Sequence, residues 1–154
     1  MSIKQVVLSQ YKGILNRALE QAQGEAVPNE GWLRTARKAL NMSGVQLAKR
    51  LGVTKAAVFN MEKAEQDGGV TLKKMEQMAE AMGCRFVYSV VPEKPVNELL
   101  SDQARKKAVS VVSQASQQMA LEAQTLSKQQ MEYEIERLQL EFLKDMPKDF
   151  WDDN

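Results

Sequence analysis

Apolar residues recur at intervals of three and four along most of the chain, which is the period of an amphipathic helix. Val7, Tyr11, Ile14, Leu15, Ala18 and Ala22 share one face of a helix predicted over residues 5–22, with Gly13 as its weak point. The stretch from Gly24 to Asn29 interrupts the pattern, because Pro28 disfavours helix at Val27 and Asn29 is placed to cap the next element. Trp32, Leu33, Ala36 and Leu40 then predict a helix of about three turns. Ser43 and Gln46 stand at the spacing of a capping box ahead of Leu47, Ala48 and Leu51, and Gly52 suits a left-handed helix end. Thr54 opens another helix, to about Glu65, with Val58 and Met61 inward. After the Asp67–Gly69 loop, Thr71 caps a helix carrying Leu72, Met75, Ala79 and Met82 inward, and Gly83 closes it.

The period changes at Cys84. Cys84, Phe86, Tyr88 and Val90 alternate with less apolar positions, which predicts one β-strand over residues 84–92. A lone strand leaves its backbone groups unpaired, so the expected partner is the same strand of a second copy, with Phe86, Tyr88 and Val90 between the two. Pro92 and Pro95 form a linker. From Val96 apolar residues recur at 96, 100, 104, 108, 111, 115, 119, 123 and 126, a long helix to roughly Ser127, and Met131, Ile135, Leu138, Phe142 and Met146 mark another. The expected fold is therefore mainly α. It comprises an amphipathic helix in residues 1–27, a compact helical domain in residues 28–83, the dimerising strand, and a helical extension with an acidic tail in residues 96–154.

Composition narrows the chemistry. The 154 residues include no histidine and one cysteine, Cys84, which excludes Cys/His zinc sites, disulfides and histidine-dependent nucleophiles. No catalytic residue, metal ligand or cofactor is expected, and Glu132, Glu134 and Glu136 are spread around a helix rather than paired. The longest apolar runs are far shorter than a membrane span and no signal-peptide pattern opens the sequence, which predicts a cytoplasmic protein without membrane contact. Net charge is +1, but residues 1–90 hold 13 basic and 8 acidic side chains, against 8 and 12 in residues 91–154. Residues 31–63 carry seven basic side chains (Arg34, Arg37, Lys38, Lys49, Arg50, Lys55, Lys63) and one acid, Glu62. Such a local excess suits a polyanion.

Two short helices joined through Gly52 form the helix-turn-helix pattern, in which the second helix enters the DNA major groove. The segment GWLRTARKALNMSGVQLAKRLGVTKAAVFNMEKAE resembles the Cro and phage-repressor type of helix-turn-helix domain, the XRE-like class, over residues 31 to about 83. That resemblance implies a recognition helix from Thr54 to Lys63 with Thr54, Lys55, Ala56, Phe59 and Asn60 toward bases. It places Arg34, Lys38, Ser43, Gln46, Lys49, Arg50 and Lys63 toward phosphates, and it pairs Arg37 with Glu62 in a structural ion pair. Members often carry a polar residue directly after the cap, where this chain has Gly44. By chemistry, Lys55 can bond guanine O6 and N7, Asn60 adenine N6 and N7, and Ala56 or Phe59 can touch a thymine methyl.

Over its whole length, with the block QLAKRLGVTKAAVFNMEKAEQDGGVTLKKMEQMAEAMGCRFVYSVVP and the string MALEAQ, the sequence looks like the mobile mystery protein A family. Its members are encoded beside a Fic-domain protein. The resemblance implies a homodimeric repressor of its own operon, bound to an inverted-repeat operator in double-stranded DNA, that doubles as antitoxin of a Fic-type partner. The known Fic-inhibitory pattern (Ser or Thr, three residues, Glu, then Gly or Asn) does not occur. The alternative is a protein-interaction adaptor that uses the fold to hold a partner without reading DNA; the basic residues and the polar outward face of 54–60 argue against it.

Overall fold

The computed structural model describes residues 2–24, 26–122 and 125–153. Seven α-helices account for its regular structure: α1 (Ile3–Ala22), α2 (Trp32–Ala39), α3 (Gly44–Leu51), α4 (Lys55–Asp67), α5 (Leu72–Ala81), α6 (Val96–Leu121) and α7 (Lys128–Lys144). They fall into two compact units, Gln23–Ser89 with α2 to α5, and Met1–Ala22 together with Val90–Asn154.

In the first unit the helices start where side-chain oxygens can take up orphan amides. Ser43 and Gln46 form the capping box of α3, Thr54 accepts from the Ala57 amide and Thr71 from the Lys74 amide. Between α2 and α3 the chain turns through Asn41, whose positive φ of 52° an asparagine tolerates. The core of this unit joins Leu33, Leu47, Ala48, Val58, Met75, Met78 and Met82. Met78, fully buried, escaped the periodic reading, whereas Leu72 is exposed because it is the first residue of α5 and lies beyond the core. Similarly, α2 is only 8 residues long, so Trp32 and Leu40 at its two ends are about half exposed while Leu33 is buried.

Asn29 does not cap α2, contrary to expectation. The N-cap is Gly31, at φ 84° and ψ 162°, and it has no side chain to offer. Its role passes to Glu65 of α4, whose carboxylate accepts the Trp32 amide at 2.7 Å and the Leu33 amide at 2.8 Å. A negative charge at a helix N-terminus also meets the positive end of the helix dipole. Gln66 reinforces the junction by donating to the Glu30 carbonyl at 2.8 Å.

The expected strand does not form. Residues 84–91 are without regular structure, and no β-strand occurs among the described residues. The physical reason is the one that made the strand conspicuous, because a ladder needs a second strand and the chain offers none. Phe86 is partly buried against the core and stacks on Tyr88 with ring centroids 5.7 Å apart, while Tyr88 and Val90 are exposed.

In the second unit α6 and α7 pair antiparallel, as the contacts Ser116–Met131 and Ser101–Gln139 show. Buried α6 residues are spaced uniformly by four, at Leu100, Ala104, Ala108 and Val112, facing Ile135 and Phe142 of α7. The expected core position 111 is exposed and its neighbour Val112 is buried, because this seam follows the i+4 ridge of the helix rather than a mixed three-and-four stripe. α6 ends at Leu121, short of Ser127; position 123 of the expected stripe lies outside the described residues. Ser127 and Gln130 form another capping box, opening α7, and Ser2 and Gln5 make the same reciprocal bonds ahead of α1. Pro95 gives α6 no side-chain cap, and Asn16 of α1 accepts the Val96 amide instead at 3.0 Å. Beyond α7, Phe150 is 2% exposed and packs with Leu100 and Ala104. Of the two tail aromatics only Trp151 is exposed; Asn154 lies outside the described residues. No described helix is long and apolar enough to cross a membrane.

A Cβ added at Gly31 would sit 2.9 Å from the Glu65 carboxylate, on a backbone that L side chains rarely adopt. Gly31→Ala should therefore destabilise the chain by about 1–3 kcal/mol, read as a lower urea midpoint. Glu65→Gln, which keeps the size but leaves one acceptor for two amides and removes the charge, should lower the midpoint as well.

Candidate nucleic-acid interface

Three residues, Gly52, Val53 and Thr54, separate α3 from α4. Gly52 adopts φ 70° and ψ 32°, the left-handed conformation that lets the chain reverse in so short a span, and the Val53 amide returns to the Ala48 carbonyl at 3.0 Å. Leu47 and Ala48 on α3 and Val58 on α4 are buried together, so the two helices are locked through their small inner faces.

The inner face of α4 is also charged. Glu62, 4% exposed, receives Arg37 Nε at 2.5 Å and Nη2 at 3.2 Å in a two-pronged pair, and Arg37 Nη1 donates to the Met42 carbonyl at 3.0 Å. The hydrogen bond with Glu62 holds the Arg37 guanidinium above its already high ordinary pKa. One side chain thus ties α2, the α2–α3 turn and α4. With Val58, Glu62 and Glu65 inward at i, i+4 and i+7, the opposite face of α4 points away from the core. On it Ala56, Phe59, Asn60 and Lys63 are exposed, and Lys55, which shares the inward azimuth two turns before Glu62, is exposed because it is the first residue of α4 and stands beyond the core. Thr54 is exposed as well, with its hydroxyl oxygen committed to the Ala57 amide and its O–H free to donate.

The residues expected to face phosphates are placed less uniformly. Lys49 is exposed at the end of α3. Lys38 is held by Glu30, with Nζ–O distances of 2.9 and 3.0 Å, and the same contact lowers the Glu30 carboxyl below its ordinary range. Arg50 donates from Nε to the Ala81 carbonyl at 2.5 Å. Ser43 and the Gln46 carbonyl oxygen are occupied by their capping box. Arg34 is half-buried and its Nε is enclosed without a hydrogen-bond partner. At Gly44 the first turn of α3 is bare, and the leading amides of a helix have no partner within it.

The sequence reading missed Glu65 and the Lys38–Glu30 pair. The signal for Glu65 was present, since a helix opening on Gly31 lacks any capping side chain and a carboxylate one turn beyond Glu62 occupies the same inner face. Comparison with known families agrees with this geometry: residues 33–89 match the family model described as "Helix-turn-helix". Those residues form a helix-turn-helix domain of the XRE/Cro type, a class associated with DNA binding. Searches of curated proteins and of solved structures returned no match to this chain.

Breaking the Arg37–Glu62 pair from one side leaves a buried charge uncompensated. Arg37→Ala should cost about 3–5 kcal/mol, while the double replacement Arg37→Met/Glu62→Leu should recover much of that loss. Denaturation midpoints of the two variants against the parent chain decide the point, and equal losses in the single and double variants would show that the pair is not coupled.

Proposed function

We propose that the chain is a sequence-specific DNA-binding regulator that reads double-stranded DNA with the outer face of α4. The observation that carries this reading is the division of α4. Its inner face is anchored by Val58, Glu62 and Glu65, while its outer face displays Ala56, Phe59, Asn60 and Lys63 and its leading end displays Lys55, none of them hydrogen-bonded or ion-paired through its side chain among the described residues, in a segment with seven basic residues and one acid over 31–63. Lys55 and Asn60 can make two-point contacts with guanine and adenine, and Thr54, Ala56 and Phe59 supply a hydroxyl and apolar groups for base edges and thymine methyls. Lys49, Lys63 and the bare amides of α3 contact phosphate directly. Lys38, Arg50 and Arg34 do so after exchanging their present surroundings for phosphate, and Ser43 and Gln46 shape the turn that presents those amides.

A homodimer completes the reading. Residues 84–91 follow α5 directly, are irregular, and expose Tyr88 and Val90, so antiparallel pairing with a second copy supplies the missing ladder. Two copies related by a two-fold axis fit an inverted-repeat operator with half-sites about 34–36 Å apart or a multiple of that distance. The family resemblance extends the proposal to autorepression and to an antitoxin-like role toward a Fic-domain partner, for which copurification with the product of the adjacent gene is the test.

Binding to the chain's own upstream region should fall with salt at a log–log slope of about −0.9 per phosphate neutralised. Lys55→Ala should cost about 1–3 kcal/mol and relax preference at one base pair, whereas Lys49→Ala should weaken all sequences alike and flatten the salt slope by about one unit. A Lys55→Ala chain with unchanged affinity and base preference would overturn the placement of the recognition helix. Light scattering showing only monomer at about tens of micromolar would remove the dimer.

A further inference from the structure

Helix α1 buries none of its residues, although its sequence carries an apolar face along most of its length. On the side turned to its own unit, Asn16 accepts the Val96 amide, and Leu15 and Leu19 beside it are half-buried. About a third of a turn round the helix lies a second apolar stripe. In it Val7, Tyr11 and Ile14 are 42%, 68% and 57% exposed, and half-buried Ala18 continues the line. Every residue from Ser2 to Tyr11 is exposed, and Ile3, Val6 and Val7 are β-branched, so neither packing nor propensity holds the first half of α1 as helix.

The stripe has the form of a seam between two helices. Positions 7, 11, 14 and 18 are spaced by four, three and four, the knob spacing of a coiled coil. Laid antiparallel on a copy of itself, the seam fills evenly: Val7 meets Ala18 of the second copy and Tyr11 meets Ile14, in four layers with none left open. A parallel copy would set Tyr11 on Tyr11 and Ala18 on Ala18, one layer overfull and another nearly empty. Charge selects the same direction. Lys4 stands in a first turn without an acid and Glu20 in a last turn without a base, so each end of α1 carries the sign that its own dipole disfavours. An antiparallel copy brings Glu20 level with Lys4 at both ends and opposes the two dipoles, whereas a parallel copy puts Lys4, Lys12 and Arg17 beside their own counterparts.

We propose that the stripe Val7, Tyr11, Ile14 and Ala18 is a self-association surface on which α1 of a second copy packs antiparallel. This contact is separate from the pairing of residues 84–91, which belongs to the other unit, and it stands whether or not that pairing occurs.

Single cysteines placed in a Cys84→Ser background, which has no other thiol, report the arrangement. The variants are Val7→Cys and Ala18→Cys on the seam and Ser9→Cys on the opposite side of the helix. With glutathione disulfide as a mild oxidant, a mixture of the Val7→Cys and Ala18→Cys chains should form covalent dimer at least about tenfold faster than either alone. A disulfide needs Cα atoms within about 7 Å, and in the antiparallel seam two copies of position 7 stand about 16 Å apart along the axes. The mixture should also outpace Ser9→Cys with Ala18→Cys by a similar factor, and adding Ile14→Glu to both seam chains should return them to that control rate. Val7→Cys chains that link to one another as fast as the mixture would show a different direction of packing. A mixture no faster than the control would show that the stripe meets something other than a second copy, and Ile14→Glu without effect would show that the seam is not the contact; each of these overturns the proposal.

Discussion

A carboxylate that is almost wholly withdrawn from water must have a partner, and in this chain the partner of Glu62 determines where everything else in its unit can go. Arg37 answers it with two prongs and uses its remaining nitrogen on the Met42 carbonyl, so α2 and the turn before α3 are fixed to α4 by a planar group with little freedom to swivel. Hydrophobic contacts among Leu33, Leu47, Val58 and the α5 methionines drive the helices together, but methionine is adaptable and tolerates small rotations. The ion pair does not. It sets the rotation of α4 about its own axis, and hence which residues are offered outward.

The same economy of local caps and distant ones recurs in both units. Helices α3, α4, α5 and α7 begin at a Ser or Thr that serves the backbone immediately following it. Helices α2 and α6 begin at residues that cannot, Gly31 and Pro95, and each borrows an oxygen from another helix, Glu65 in one case and Asn16 in the other. A borrowed cap is a tertiary contact as well as a cap: it specifies that α4 packs on the start of α2 and α1 on the start of α6.

What could be read from the sequence follows this division closely. The capping box at Ser43, the left-handed Gly52 and the cap at Thr54 are interactions within a few residues, and each was legible because its signal and its consequence are adjacent in the chain. The helix-turn-helix and the Arg37–Glu62 pair followed from them, the latter through family resemblance. The Glu65 cap joins groups more than thirty residues apart, so its two clues, a glycine without a capping side chain ahead of α2 and a carboxylate on the inner face of α4, point to each other only once the chain is folded. The alternation at 84–91 records a real β preference that a single copy has no means to satisfy. The burial of Phe150 is not legible because nothing near it in sequence reveals that Leu100 and Ala104 lie beneath it. The uniform four-residue seam of α6 was blurred by the apolar pair Val111 and Val112, between which only packing decides.

The junction of Gly31 and Glu65 also carries a consequence for sequence divergence. The two positions form one functional unit divided between two helices: the glycine leaves room for the carboxylate, and the carboxylate supplies the cap that the glycine lacks. Because Gly31 holds a positive φ of 84°, Ser or Asp at 31 would be strained whatever residue 65 became, so a descendant that capped α2 locally would have to rebuild the turn before α2 as well as release Glu65. Position 65 is thus held by the backbone at 31 as well as by the cap it supplies, and it becomes an ordinary position of α4 only after that turn has changed.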